Sequence, residues 1–67
     1  MIKVKSSCIS AVGYESNFGD LIIEYNTGNR FAYQKVPYEM FQKLMKAESK
    51  GKFVNQFIKG KYDFRRI

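Results

Sequence analysis

The apolar positions of this chain change period along its length, and each change marks an element. Residues 3–14 mix β-branched and small residues in near-alternation. Val4, Ser6 and Cys8 alternate with Lys3, Lys5 and Ser7, after which Ile9, Ala11 or Val12, and Tyr14 take over the apolar side. The slip near Ser10 predicts a bulge or register change, and Gly13 predicts a bend. Residues 15–19, ESNFG, read as a turn. Asp20–Asn26 alternates cleanly, with Leu21, Ile23 and Tyr25 on one side and Ile22 and Glu24 on the other. Asn26-Thr27-Gly28-Asn29 is a hairpin signal, because glycine takes positive φ without steric cost. Arg30–Val36 is the third strand, with Phe31, Tyr33 and Lys35 opposite Ala32, Gln34 and Val36.

At Pro37 the period lengthens. In residues 37–48, PYEMFQKLMKAE, the side chains of Tyr38, Phe41, Met45 and Glu48 recur at helical spacing. Leu44 lies beside that stripe, Met40 and Ala47 broaden it, and Gln42, Lys43 and Lys46 face the other way. Proline suits a first helical position, and Gly51 reads as the C-terminal cap. A helix this short needs a surface to lie on, and the upstream sheet supplies it, with Phe41 and Leu44 expected at the contact. A second short helix is expected over 52–58. Lys61–Ile67 follows as an edge strand or an extended arm, with Tyr62 and Phe64 alternating.

These elements predict one α+β domain over residues 1–67. A three-stranded antiparallel meander is packed by one main helix, followed by a short helix and an extended aromatic C-terminal arm. Both sheet faces carry apolar side chains, so the pattern leaves open which one the helix covers.

At 67 residues the core is near the lower limit for independent folding, and six Phe and five Tyr help to fill it. With one Cys and no His, intramolecular disulfides and zinc sites built on several Cys or His are excluded. No apolar run spans a bilayer, and MIKVKSS lacks the apolar core of a signal peptide. A cytoplasmic protein with no membrane contact and no cofactor is expected. Its oligomeric state is not written in the sequence.

The net charge of +6 is uneven. Residues 1–48 carry six Lys/Arg against five Asp/Glu, whereas 49–67 carry Lys50, Lys52, Lys59, Lys61, Arg65 and Arg66 against Asp63 alone. Tyr62 and Phe64 are interleaved with this cluster, and cations interleaved with rings suit a phosphate backbone with stacked bases. The alternative is a solvated face around two core rings. Lys50-Gly51-Lys52 ahead of the short helix offers a weaker anion site, lacking the upstream glycines of a phosphate-binding loop. There Asn55 reads as a structural residue tying the short helix to a loop. Phe31 and Tyr33 point the same way, with Tyr25 across from them, so they are either a stacking platform or core beneath the helix. Without His, and with carboxylates scattered singly, no catalytic arrangement emerges and no enzyme is expected. Cys8 reads as a buried, inert strand residue.

The run Phe31-Ala32-Tyr33 … Val36-Pro37 … Phe41 … Leu44 … Ala47 … Ser49-Lys50-Gly51-Lys52-Phe53 … Asn55 … Ile58-Lys59-Gly60-Lys61-Tyr62 resembles the KTSC domain family. The family is named after a domain at the C-terminus of some lysine tRNA synthetases and also occurs as small stand-alone bacterial and phage proteins. Val4-Lys5-Ser6-Ser7 and Ile9 … Val12-Gly13-Tyr14 extend the resemblance over nearly the whole chain. It implies a small α+β domain with a role in binding RNA. The family's central motif is tyrosine, any residue, tyrosine. Here Phe31 keeps the first ring and loses its hydroxyl, which leaves stacking or packing intact. The expected function is a non-enzymatic nucleic-acid-binding module, RNA first, using Lys50, Lys52, Lys59, Lys61, Tyr62, Arg65, Arg66 and Tyr33. The alternative is a protein-interaction module, a small phage or bacterial adaptor or inhibitor.

Overall fold

The alternating segments form one antiparallel sheet in the computed structural model, which describes residues 1–67. Its strands are β1 (Ile2–Lys3), β2 (Ile9–Glu15), β3 (Asp20–Tyr25), β4 (Arg30–Tyr33) and β5 (Phe64–Arg66), side by side in sequence order. The expected meander is β2–β3–β4. Two short strands extend it: one at the N-terminus that the sequence did not separate from the first strand, and the C-terminal arm. Pairing runs Val12↔Ile23 and Tyr14↔Leu21, then Ile23↔Phe31 and Leu21↔Tyr33, then Tyr33↔Phe64 and Phe31↔Arg66.

The expected slip at Ser10 is present. Register shifts between Ile9↔Tyr25 and Ala11↔Glu24, and the Ser10 hydroxyl donates to the Glu24 and Tyr25 carbonyls at 3.3 and 3.4 Å. The extra residue lets both Ile9 and Val12 reach the same face, where an unbroken alternation would separate them. The β3–β4 hairpin turns at Gly28, whose φ of 93° any side chain would strain. Glu24 and Arg30 close it with a 3.2 Å ion pair.

The strand expected over Arg30–Val36 stops at Tyr33. Lys35 takes φ 56°, a left-handed conformation that breaks the ladder. The Val36 N–H donates instead to the Gly19 carbonyl at 2.8 Å, and the Tyr14 hydroxyl donates to the Val36 carbonyl at 2.6 Å. The chain is thus turned across the sheet into α1 (Tyr38–Lys46), shorter at both ends than 37–48. Pro37 is the extended residue before the helix rather than its first residue. Ala47, also extended, ends it, so Gly51 is not its cap. Gly51 belongs to α2 (Lys50–Phe53), which begins two residues earlier than expected because Ser49 caps it, its hydroxyl accepting from the Lys52 N–H. A π-helical turn, Val54–Ile58, continues α2, and the Lys59 N–H donates back five residues to the Val54 carbonyl at 2.8 Å.

The helices cover the face that carries Ile9, Val12, Leu21, Ile23 and Tyr33. There Val36, Leu44, Val54 and Ile58 complete a buried cluster. Leu44, rather than the Phe41–Met45 line, sits at its centre. Phe41 is half-buried, its ring stacked on Tyr14 at 5.5 Å, and Tyr38 is 54% exposed. The other sheet face is built from small residues, Ala11, Gly13 and Ala32, around Ile22. Met1 lies so close over Gly13 that an added Cβ would come within 3.1 Å of its Cγ.

Candidate groove at the open end of the sheet

Helix α1 covers one end of the sheet face and leaves the other end open. Tyr25, Phe31, Tyr33 and Phe64 alternate onto that end by strand register, and their rings form the floor of a groove of about 700 Å³. Tyr25 meets Phe31 edge-on at 5.7 Å, Phe31 meets Phe64 edge-on at 5.6 Å, and Tyr33 lies 5.6 Å from Phe64. Tyr33 is only 3% exposed and gives the floor its rigid base. Phe64 is 57% exposed. The Tyr25 and Tyr33 hydroxyls are 3.2 Å apart. Burial, with that hydrogen bond behind it, pushes the Tyr25 phenol well above its ordinary value.

One wall is the segment Ser6–Cys8. The Ser6 hydroxyl accepts from the Cys8 and Ile9 N–H groups, and the Asn26 amide donates to the Ser6 and Ser7 carbonyls at 3.3 and 2.9 Å. These bonds hold the segment outside the sheet, so Cys8 is exposed on the groove. That corrects its expected place as a buried strand cysteine. A second wall, adjoining the first where Gly51 lies against Cys8, is α2 and its π-helical turn, which present Gly51, Asn55 and Lys59. Val54 and Ile58 take the core face, so Asn55 and Lys59, each one residue on, share the neighbouring face. Asn55 is exposed at the groove rather than bound to a loop. Lys59 Nζ stands 5.3 Å from the centre of the Tyr25 ring. It is the one charged residue lining the groove, and no acidic residue lines it.

The candidate residues read from sequence do not converge as a single patch. Tyr33 and Lys59 line the groove. Arg66 pairs with Phe31 and so lies on the groove's face, its guanidinium donating to Asn29 Oδ1 at 2.6 Å. Arg65 pairs with Ala32 and lies on the opposite face, because successive strand residues alternate. Lys61 and Tyr62 border a separate shallow hollow with Phe64. Lys50 is committed to the end of α1, donating to the Ala47 carbonyl at 3.1 Å, and Lys52 is exposed on α2. The hydroxyl of Ser49 already occupies the Lys52 N–H, one of the donors the expected anion site would have used. Of the two readings of the tail rings, Tyr62 packs on the core and Phe64 does not. Sequence reasoning passed over Cys8 and Phe64 as groove residues, and only the alternation Tyr62–Phe64 carried a signal for either.

Comparison with known proteins places the chain among relatives. The family described as KTSC domain matches residues 5–62. A KTSC domain protein from Yersinia pestis has a crystal structure that superimposes with a TM-score of 0.94 at 37% identity, covering 97% of this chain and 92% of that one. A protein of Tsukamurella paurometabola is 39% identical over 62 residues, 92% of each chain. A lysine–tRNA ligase of Nostoc punctiforme is 37% identical over all 67 residues. This chain spans only 12% of that ligase's length. No helix is long and apolar enough to cross a membrane.

Proposed function

We propose that this chain, which belongs to the KTSC domain family, is a binding module for single-stranded nucleic acid, RNA before DNA, and not an enzyme. One observation carries the reading: a groove floored by aromatic rings, lined by one cation and by no carboxylate. Rings accept the faces of unpaired bases, and cations hold the backbone without reading sequence. The surplus of positive charge in residues 49–67 supports it. RNA is preferred because a relative of this chain, by its name, acts on a tRNA. In this reading Lys59, Lys61 and Arg66 contact phosphates beside the groove, with Arg65 outside the contact. A cytoplasmic location belongs to the same proposal, in keeping with a lone exposed thiol.

The test is a titration of labelled single-stranded RNA over a salt series. The Lys59→Ala/Lys61→Ala/Arg66→Ala variant is expected to bind more weakly to every sequence, with the salt slope lowered by about one per charge removed. Equal, weak binding by this variant and the wild type at low salt would sink the reading. A protein partner on the same rings would then take its place.

A further inference from the structure

We propose that the groove is a site for a single nucleotide unit. Its base stacks on Phe64, its base edge meets the Asn55 amide, and its phosphate meets Lys59. This deepens the nucleic-acid reading and rests on it, but it makes a separate claim about one site. The shared chemistry is a planar base joined to a phosphate, whether carried by a strand or free.

Three features argue for that ligand. Phe64 is more than half exposed, yet its ring is fixed in orientation by Phe31 and Tyr33 at 5.6 Å each. A ring held rigid with a free face is a stacking surface that loses little entropy when it is covered. Asn55 stands exposed on the wall and offers a donor beside an acceptor, the pattern that matches adjacent groups on a base edge. Lys59 is directed inward over the Tyr25 ring at 5.3 Å, and no carboxylate lining the groove competes with an anionic ligand. The volume, about 700 Å³, lies in the range of small-ligand clefts. A purely apolar occupant would desolvate Lys59 and Asn55 without partners, and an acidic peptide would leave the face of Phe64 without a planar partner.

The experiment titrates the full chain at low salt with the four nucleoside 5′-monophosphates and with ribose 5-phosphate, which lacks a base. At least one monophosphate is expected to bind about tenfold more tightly than ribose 5-phosphate, within the range for one stacked base. Phe64→Ala should remove that difference and Phe64→Tyr keep it. Asn55→Ala, on an exposed helix position that folding tolerates, should change the ranking of the four bases. Cys8 reports occupancy, because it lines the same groove: a saturating monophosphate should slow its reaction with a maleimide. Monophosphates that bind no better than ribose 5-phosphate would overturn the site. So would binding that leaves the Cys8 rate unchanged. A parallel arm compares an oligoribonucleotide with its abasic counterpart. If both bind equally and monophosphates fail, the site is overturned while phosphate contact by the basic residues stands. If monophosphates bind with base dependence but oligomers gain nothing, the site stands with free nucleotide as its source, and the strand-binding reading fails.

Discussion

Tyr25 gives its ring to Phe31 and Lys59 and its hydroxyl to Tyr33. Its phenol is held above the ordinary value, first by burial and then by that hydrogen bond. A group whose folded pKa is raised contributes stability that is complete below the unfolded pKa, here about 10. The contribution is lost as pH rises through the folded value. The wild type should therefore lose stability above about pH 10 more steeply than Tyr25→Phe, which has no proton to release. Denaturant midpoints measured from pH 8 to 12 test this, and parallel curves for the two proteins would refute it. The pairing of Tyr25 with Phe31 was legible, since rings on adjacent strands with a fixed turn between them must meet. The place of Cys8 was not. Its exit from the sheet is decided by the Ser6 hydroxyl and the Asn26 amide, contacts that no periodicity encodes.

At the scale of elements, α1 shows which part of a helical pattern carries weight. Leu44 is fully buried and Phe41 only partly so. Leu44→Ala should therefore cost about 2–5 kcal/mol through lost transfer energy and a residual cavity. Phe41→Ala should cost less, since part of its ring is already in water and Tyr14 can relax toward the gap. Thermal or chemical melts of the two variants give the order, and a larger loss for Phe41→Ala would overturn this packing. The helical period fixed the element's existence and its apolar side. It placed the stripe one residue off, because Phe, Met and Leu look equally apolar in sequence and the sheet decides which one points straight down. The two short edge strands hold too few residues to show a period. Hence the short alternation of Tyr62 and Phe64 leaves strand and arm undecided in the sequence, and with it the fact that Arg65 and Arg66 face opposite ways.

Across the whole molecule, strands lie in the order in which they are synthesised. The first three pairings join neighbours through short connections, whereas β4 and β5 are separated in sequence by both helices. Local pairing lowers the entropy of closure, so β2–β3–β4 can form before β5 docks. The β4–β5 seam is short, with the Gln34 and Ile67 N–H groups donating across its two ends at 2.7 and 3.0 Å, and all three β5 residues are exposed. Such an edge opens at lower free energy than the centre of the sheet. Hydrogen exchange should show the Gln34 and Ile67 amides protected less than the β2–β3 ladder, and uniform protection would contradict this. Phe64 rides on that edge, so the floor of the groove exists only while β5 is seated. Apparent affinity at the groove is then scaled by the seated fraction. A substitution that loosens β5 from the face turned away from the groove, where Arg65 lies, would act as a dimmer on binding without touching any atom of the ligand.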